Sequence, residues 1–275
     1  MDFTERMILR SIELDRSLPL PKGFPFSVPV IRSLTRLEFT SRVTFFIGEN
    51  GCGKSTLLEA IAGAADSITV GSMSVTKDHS LSGVRRLSSA LRLTWSKKLR
   101  RGFFMRSEDF FGYVRNLAET TDGLRSDLED VEREYQDRSP TAQAFARSAY
   151  QNELSALERD YGEDLDAHSH GESYLQLFQA RFHPEGLYLM DEPEAPLSPL
   201  RQLAFLSILK RMVDDKAQFI IATHSPIIMA FPGATILNFD GGEIHATRYE
   251  DVEHVQITKS FLDNPDRYLR HLMEG

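Results

Sequence analysis

Residues 48 to 56 carry the pattern best suited to chemistry, because they match the glycine-rich loops that hold nucleotide phosphates. They read Gly-Glu-Asn-Gly-Cys-Gly-Lys-Ser-Thr, which fits G-x-x-x-x-G-K-[ST]. Glycines let the backbone N–H groups of such a loop turn inward toward a phosphate, and the positive end of the next helix adds to the attraction. The residues predicted to bind nucleotide are Glu49, Asn50, Gly51, Cys52, Gly53, Lys54, Ser55 and Thr56.

Individual roles follow from the side chains of this loop. Lys54 should reach the β- and γ-phosphates, Ser55 should ligate Mg²⁺, and Thr56 should bond the α-phosphate. The alternative is an accidental glycine-rich turn. The flanks argue against it, because residues 43–47 read as a buried strand and residues 57–62 as the first turns of a helix.

Two acids follow a second apolar run and could serve a bound nucleotide. Residues 187–190 read as a strand, and Asp191 and Glu192 come directly after it. The ends of parallel strands open onto the ligand crevice, so both acids are expected opposite the loop. Asp191 should hold the Mg²⁺ shell, and Glu192 should act as general base on the attacking water. Solvated acids capping a strand are the alternative.

A histidine ends a third apolar run. Residues 219–223 read as a buried strand, and His224 follows it. A histidine at a strand end is often structural. Here it could donate to the γ-phosphate or hold the attacking water, so Lys54, Glu192 and His224 are predicted as the catalytic residues.

The elements that must position these residues alternate between strand and helix patterns. We predict one α/β domain with a phosphate-loop core sheet, an N-terminal antiparallel β portion and a helical subdomain. The β portion and first core half should span residues 1–109. The helical subdomain should span 110–182, and the second core half with a C-terminal hairpin 183–275. Amphipathic spacing within 110–166 favours helices facing the core over a heptad coiled coil.

Composition narrows the class of protein. The chain has 275 residues, a formal net charge of −8 and a single cysteine, Cys52. This charge argues against a protein that coats nucleic acid, and one cysteine excludes an intramolecular disulfide. No run reaches the length of a membrane span, and residues 1–6 do not read as a signal peptide. We expect a soluble cytoplasmic protein.

Together these motifs resemble the ATP-binding cassette ATPases. The loop, Asp191-Glu192 and His224 look like the family's Walker A, Walker B and switch-histidine elements. Residues 169–173, Ser-His-Gly-Glu-Ser, resemble its signature loop, with Glu172 in the glutamine position. The resemblance implies that ATP and Mg²⁺ are the cofactors. It also implies that Ser169, Gly171 and Glu172 close over ATP bound to a second copy, in a head-to-tail homodimer.

One departure from the family pattern and one open assignment concern the nucleotide site. The family's glutamine loop best matches residues 102–108, where Arg106 stands in the glutamine position. Glu108 is therefore the candidate for the contact to the metal. An aromatic residue that stacks on adenine should lie upstream of the loop, and Phe24 and Phe26 are the candidates, with core packing as the alternative.

The chain most resembles the stand-alone predicted AAA-type ATPases of the RecF, Rad50 and SMC branch, without their long coiled coils. This implies a soluble ATPase whose ATP-driven dimerisation acts on a nucleic-acid or protein partner. Eight Lys or Arg residues and no acid lie within 85–106, which is a candidate nucleic-acid contact. The alternatives are the cytoplasmic ATPase of a membrane transporter, paired with a permease, and a scaffold that binds ATP without turnover.

Overall fold

The computed structural model describes residues 7–17, 19–69, 83–97, 101–161 and 170–273, and gives only the backbone at 110–111, 113–115, 117–118, 158–161, 170–173 and 271–272. The strands are β1 (Leu9–Leu14), β2 (Arg36–Glu38), β3 (Val43–Ile47), β4 (Leu91–Trp95), β5 (Gly102–Arg106), β6 (Leu187–Asp191), β7 (Gln218–Ala222), β8 (Thr235–Asn238) and β9 (His245–Thr247). The helices are α1 (Pro29–Ser33), α2 (Lys54–Ala64), α3 (Arg85–Ala90), α4 (Ser107–Glu134), α5 (Pro140–Tyr161), α6 (His170–Arg181), α7 (Pro199–Asp214), α8 (Pro226–Met229), α9 (Glu253–Asp263) and α10 (Pro265–Met273).

A six-stranded sheet in the order β5-β6-β7-β3-β8-β9 forms the centre of the fold. The first five strands in this order, from β5 through β3 to β8, pair in parallel, and β9 is antiparallel to β8. Every residue of β3, β6 and β7 is buried, as expected for parallel strands covered on both faces. The predicted α/β class is confirmed, and the three strands that carry the site motifs are adjacent.

Alternate residues of β6 serve the two faces of this sheet. Tyr188 and Met190 pack into a cluster with α6 and α7, where Phe178 and Phe205 are fully buried. Leu189, on the other face, packs into a second cluster with α2 and the N-terminal segments. Burial on both sides leaves the strand ends as the place where polar groups can meet solvent and ligand.

The N-terminal β portion is a three-stranded antiparallel sheet in the order β2-β1-β4, as the sequence predicted. A buried side chain ties it to the central sheet. The Leu9 N–H donates to Gln218 Oε1 at 2.8 Å, and Gln218 Nε2 donates to the Leu9 carbonyl at 3.0 Å. This pair fixes the position of β1 against the start of β7.

Helix α4 begins at Ser107, immediately after β5, and the helical subdomain of residues 110–182 stays a prediction. Helices α4 and α5 pack against each other, and of the side chains described within 119–157 only Thr121 and Leu124 are buried. Leu157, near the end of α5, packs against the core cluster that includes α6. None of the helices in the described part of the chain combines the length and apolarity needed to cross a bilayer.

Candidate active site

The glycine-rich loop connects β3 to α2 in a conformation that requires glycine. Gly53 has a φ of 110°, and a Cβ atom there would lie 2.8 Å from the side chains of Val28 and Val30. At Gly48, a Cβ atom would meet Asp240 Oδ1 at the same distance. Asp240 also accepts the Glu49 N–H at 2.8 Å, so neighbouring segments hold the loop tightly from two sides.

Lys54 lies folded back over this loop. Its side chain is 5% exposed, and Nζ donates to the Gly48 carbonyl at 2.7 Å and to the Glu49 carbonyl at 2.9 Å. The Cys52 Sγ atom lies 3.8 Å away, and burial raises the pKa of that thiol. The ammonium group therefore stands where the loop curls, and the acceptors that it bonds there, two carbonyls and a thiol, are neutral.

Asp191, at the end of β6, lies close to the start of α2. The carboxyl is buried and accepts a hydrogen bond from the Ser55 hydroxyl. Burial raises the pKa of Asp191 to about 6, and the Ser55 bond opposes this rise. Among the described residues no group bonds its Oδ1 atom, which is inaccessible to solvent. An orphaned, buried carboxylate oxygen beside a serine hydroxyl suits a hard cation.

Glu192 leaves the sheet in a left-handed conformation. Its φ is 50°, which costs about 1–2 kcal/mol for a residue with a side chain. A hydrogen bond from its N–H to the Ala222 carbonyl, at 2.9 Å, holds it there. The side chain is 46% exposed, and Oε1 lies 3.8 Å from His224 Nε2. Backbone strain of this kind concentrates at functional sites, where it directs a side chain.

His224 follows β7 and faces Glu192. Burial and the nearby Lys54 charge lower the pKa of the imidazole, so it is neutral at physiological pH. No hydrogen-bond partner of Nε2 is found in the described part of the chain. His224 also borders a cavity of about 410 Å³, with Gly48, Glu49 and His254 in its lining. A neutral imidazole with an unused ring nitrogen can donate to a phosphate or accept from a water molecule.

Glu194 belongs to the site although the sequence analysis gave it no role. Its Oε1 accepts from the Thr223 hydroxyl at 2.7 Å, the His224 N–H at 2.6 Å and the Ser225 N–H at 3.1 Å. Burial raises the pKa of its carboxyl, and the bonds from Thr223 and His224 oppose the rise. The one available signal was a second acid two positions after Glu192, within a loop.

Arg106, which stands in the position of the family's glutamine, is surrounded by acidic side chains. Arg106 ends β5 and is the register partner of Asp191. Its guanidinium contacts Asp109 at 2.8 Å and Glu108 at 3.3 Å, with Glu59 at 3.9 Å. The Glu108 carboxylate is 74% exposed and directed to Arg106, and its role toward a metal stays a prediction.

Glu59 is a second residue that the sequence analysis did not single out. Burial raises the pKa of Glu59 to about 7, and the Arg106 charge opposes this rise. An acid in the apolar run Leu57-Leu58-Glu59-Ala60, four residues after Ser55, was the available signal.

The structure describes the remaining predicted residues in different detail. Ser169 lies outside the described residues, and Gly171 and Glu172 are placed only as backbone in the first turn of α6. Phe26 is 3% exposed and belongs to the core. Phe24 is 52% exposed, in a turn closed by the Ser27 N–H and the Gly23 carbonyl at 2.9 Å. Phe24 therefore stays the candidate for stacking on a base.

A protein-family model described as an AAA domain matches residues 26–186, more than half of the chain. This range includes the loop and α2, and it ends just before β6. No curated protein matches the sequence.

The chain is also similar to solved structures. One is CbiO1 from Clostridium perfringens, part of the ABC transporter complex CbiONQ, at 17% identity over 98% of this chain and 100% of that chain, with a TM-score of 0.48. Another is the ADP conformation of MJ1267, an ATP-binding cassette of an ABC transporter, at 17% identity over 91% and 98%, with a TM-score of 0.49. Likeness of this degree carries no conclusion about what this chain does.

Proposed function

The chain belongs to the AAA domain family, and we propose that it is a Mg²⁺-dependent ATPase of the ATP-binding cassette type. One observation carries the proposal: three adjacent strands end at the same edge of the sheet, each with a different part of the chemistry. Lys54 follows β3, Asp191 and Glu192 end β6, and His224 follows β7.

The loop supports ATP binding through groups that are already in place. Lys54 Nζ exchanges neutral carbonyl partners for phosphate oxygens when a nucleotide enters, and charge-assisted hydrogen bonds are the stronger kind. The N–H groups of the loop and the N-terminus of α2 add to this attraction. Lys54 and the loop residues from Glu49 to Thr56 thus form the proposed phosphate site.

Ser55 and Asp191 fit a Mg²⁺ ion, which would neutralise phosphate charge when bound. Asp191 offers the buried Oδ1 atom described above, next to the Ser55 hydroxyl. In the described part of the chain, no three His, Cys, Asp or Glu residues cluster as a metal site. This agrees with Mg²⁺, which commonly takes one or two protein carboxylates and completes its shell with substrate phosphates and water.

Glu192 and His224 support hydrolysis. In the proposed step a water oxygen attacks the γ-phosphorus, Glu192 takes the water proton, and the electrons of the β–γ bridging bond leave with ADP. Glu192 Oε1 and His224 Nε2 are 3.8 Å apart, so one water molecule can contact both side chains. The neutral imidazole holds this water or donates to the γ-phosphate without repelling Lys54.

Two copies are proposed to close head to tail around two ATP molecules. Ser169, Gly171 and Glu172 would then face the nucleotide of the second copy, at the N-terminus of α6. The helix has 12 residues and is anchored by the buried Tyr174 and Phe178, so its N-terminus offers a firmly held anion site.

The proposed role of this closure is a switch acting on a partner in the cytoplasm. Within the basic stretch, Arg92 contacts Asp15 at 2.7 Å and Lys97 contacts Glu185 at 3.6 Å, whereas Arg106 lies in the nucleotide site. These pairings use part of the positive charge, so we favour a protein partner over a nucleic acid.

An ATPase subunit of a membrane transporter is the second candidate, because the cassette family that the motifs resemble also includes such subunits. In that family a permease helix would dock beside the glutamine loop. Here Arg106 fills the glutamine position and is held by Asp109 and Glu108, which argues for the switch.

The test is the molar mass of the Glu192→Gln variant by light scattering, with and without Mg·ATP. We expect its turnover to fall by roughly 10²–10⁴ relative to the native chain. The mass should change from that of a 31.2 kDa monomer to that of a dimer when Mg·ATP is added. A Lys54→Ala change in the same background is the control and should stay monomeric. Unchanged turnover would show that Glu192 is not the general base. A monomer under all conditions would contradict the proposal that residues 169–173 close over ATP bound to a second copy.

A further inference from the structure

We infer that Glu194 is a positioning residue that fixes His224 in the nucleotide site. Glu194 lies in the turn between β6 and α7, where the Leu197 N–H donates to its carbonyl at 2.8 Å. The inference rests on the proposed ATPase activity, since it assigns to Glu194 a part in that reaction.

A single carboxylate oxygen holds three successive residues. Glu194 Oε1 accepts one hydrogen bond from the side chain of Thr223 and two from the N–H groups of His224 and Ser225. His224 is the middle residue of the three. The direction of its side chain therefore depends on a contact made by its own backbone.

The hydrogen bonds to Glu194 take the place of the β-sheet hydrogen bonds, which end at this point of the chain. Strand β7 ends at Ala222, and the Thr223 N–H makes the final bond to β3, at 3.2 Å to the Phe46 carbonyl. Beyond this point the chain must turn, and buried N–H groups need other acceptors. Glu194 provides one for His224 and Ser225. Three hydrogen bonds to one carboxyl oxygen therefore hold the turn.

Ser225 connects this turn to α7. Its N–H donates to Glu194 Oε1 at 3.1 Å, and its hydroxyl donates to Gln202 Oε1 at 2.5 Å and accepts the Ile228 N–H at 3.1 Å. Glu194 and Gln202 thus hold the same residue, one through its backbone and the other through its side chain. These bonds leave the His224 imidazole directed at Glu192.

Three variants of Glu194 distinguish the position of its acceptor oxygen from the charge of its carboxylate. Glu194→Gln keeps an acceptor oxygen at the same reach, and kcat should stay within about fivefold of the native value. Glu194→Asp keeps the charge but is one methylene shorter, and Glu194→Ala removes the acceptor. Both should lower kcat by roughly 10-fold to 10²-fold, because misplacing a catalytic group by about 1 Å has effects of this size. The affinity for ATP should change less than threefold in all three.

A double-mutant cycle with His224→Ala supplies the readout that a purely structural role would not produce. If Glu194 acts through His224, adding Glu194→Ala to His224→Ala should lower kcat no further. Glu185→Ala is the matched control, an acid at the other end of β6 that contacts Lys97 at 3.6 Å. Its kcat should equal that of the native chain.

Each outcome decides the inference. A Gln variant as inactive as the Asp variant, or multiplicative losses in the double mutant, would overturn it. If Glu194→Ala does not fold, the Gln and Asp variants give the same decision. Absent turnover in the native chain would refute the proposed ATPase instead, which keeps the two failures distinguishable.

Discussion

Replacing Glu59 by glutamine should stabilise the nucleotide-free protein at neutral and higher pH. The Glu59 side chain is 18% exposed and lies 3.9 Å from Arg106 Nη1. Burial raises its pKa from 4.5 to about 7, the Arg106 charge opposes this, and Asp191 adds to it. The folded chain therefore accommodates the ionised form of Glu59 poorly, although that form predominates above pH 7.

The direction and size of the effect follow from this pKa difference. Between about pH 4.5 and pH 7 the folded chain keeps a proton on Glu59 that the unfolded chain has lost. Stability from this group is thus highest below this window, falls as the pH rises through it, and is lowest above it. This difference in pKa corresponds to roughly 3 kcal/mol. Glutamine stays neutral, so the variant should gain ~1 kcal/mol at about pH 5 and ~3 kcal/mol at about pH 8.

Urea unfolding at these two pH values, followed by the fluorescence of the single tryptophan, Trp95, measures the change. Glu38→Gln is the matched control, because Glu38 is 61% exposed and pairs with Arg36 at 2.9 Å. Its free energy of unfolding should differ little from that of the native chain at either pH. A Glu59→Gln variant no more stable than the native chain at the higher pH would show that the pair with Arg106 outweighs burial, and would refute the reasoning.

Three further changes probe the nucleotide contacts, and a fourth, in the core, serves as their control. Lys54→Ala should weaken ATP binding by roughly 1.5–3 kcal/mol in calorimetry, since a charge-assisted hydrogen bond is lost. Asp191→Asn should remove the strengthening of ATP binding by Mg²⁺, measured by titration with and without the ion. Phe24→Ala should weaken ATP binding by about 1–3 kcal/mol through lost stacking while leaving the unfolding midpoint unchanged. Phe26→Ala should instead lower stability by about 3–5 kcal/mol in urea, because Phe26 is a core residue.

Each of these predictions has an opposing result. Native ATP affinity in Lys54→Ala would contradict the phosphate-loop assignment. A Mg²⁺ dependence that survives in Asp191→Asn would place the metal elsewhere. Equal effects of the two phenylalanine changes on ATP affinity would show that Phe24 has no contact with the base.

The sequence predicted the parts of the site that are local in the chain. The loop from Gly48 to Thr56 is contiguous, and its glycines, lysine and serine have fixed roles because a phosphate needs N–H groups and a cation at set spacing. The apolar runs before Asp191 and His224 predicted buried strands, because continuous apolar runs of this length are typical of strands in a sheet that is covered on both faces. Fold class followed from this alternation of strands and helices.

Other features depended on pairing between distant segments. Strand β5 was not predicted from the apolar run 102–105, and α4 starts at Ser107, where β5 ends. The apolar faces of α4 and α5 were expected against the core; among their described side chains, Leu157 packs against a core cluster, and the two helices also pack against each other. Period and composition show that a helix has an apolar face, but they do not say which surface covers it.

Tertiary structure alone decided how the acids of this protein differ. Glu192, Glu194 and Glu59 are the same residue type, yet Glu192 is half exposed, Glu194 holds the backbone of His224, and Glu59 is buried beside Arg106. The sequence gives each acid its charge and its place in the chain. Desolvation and the choice of hydrogen-bond partner set what that charge does, and both depend on which segments the fold brings within a few ångströms.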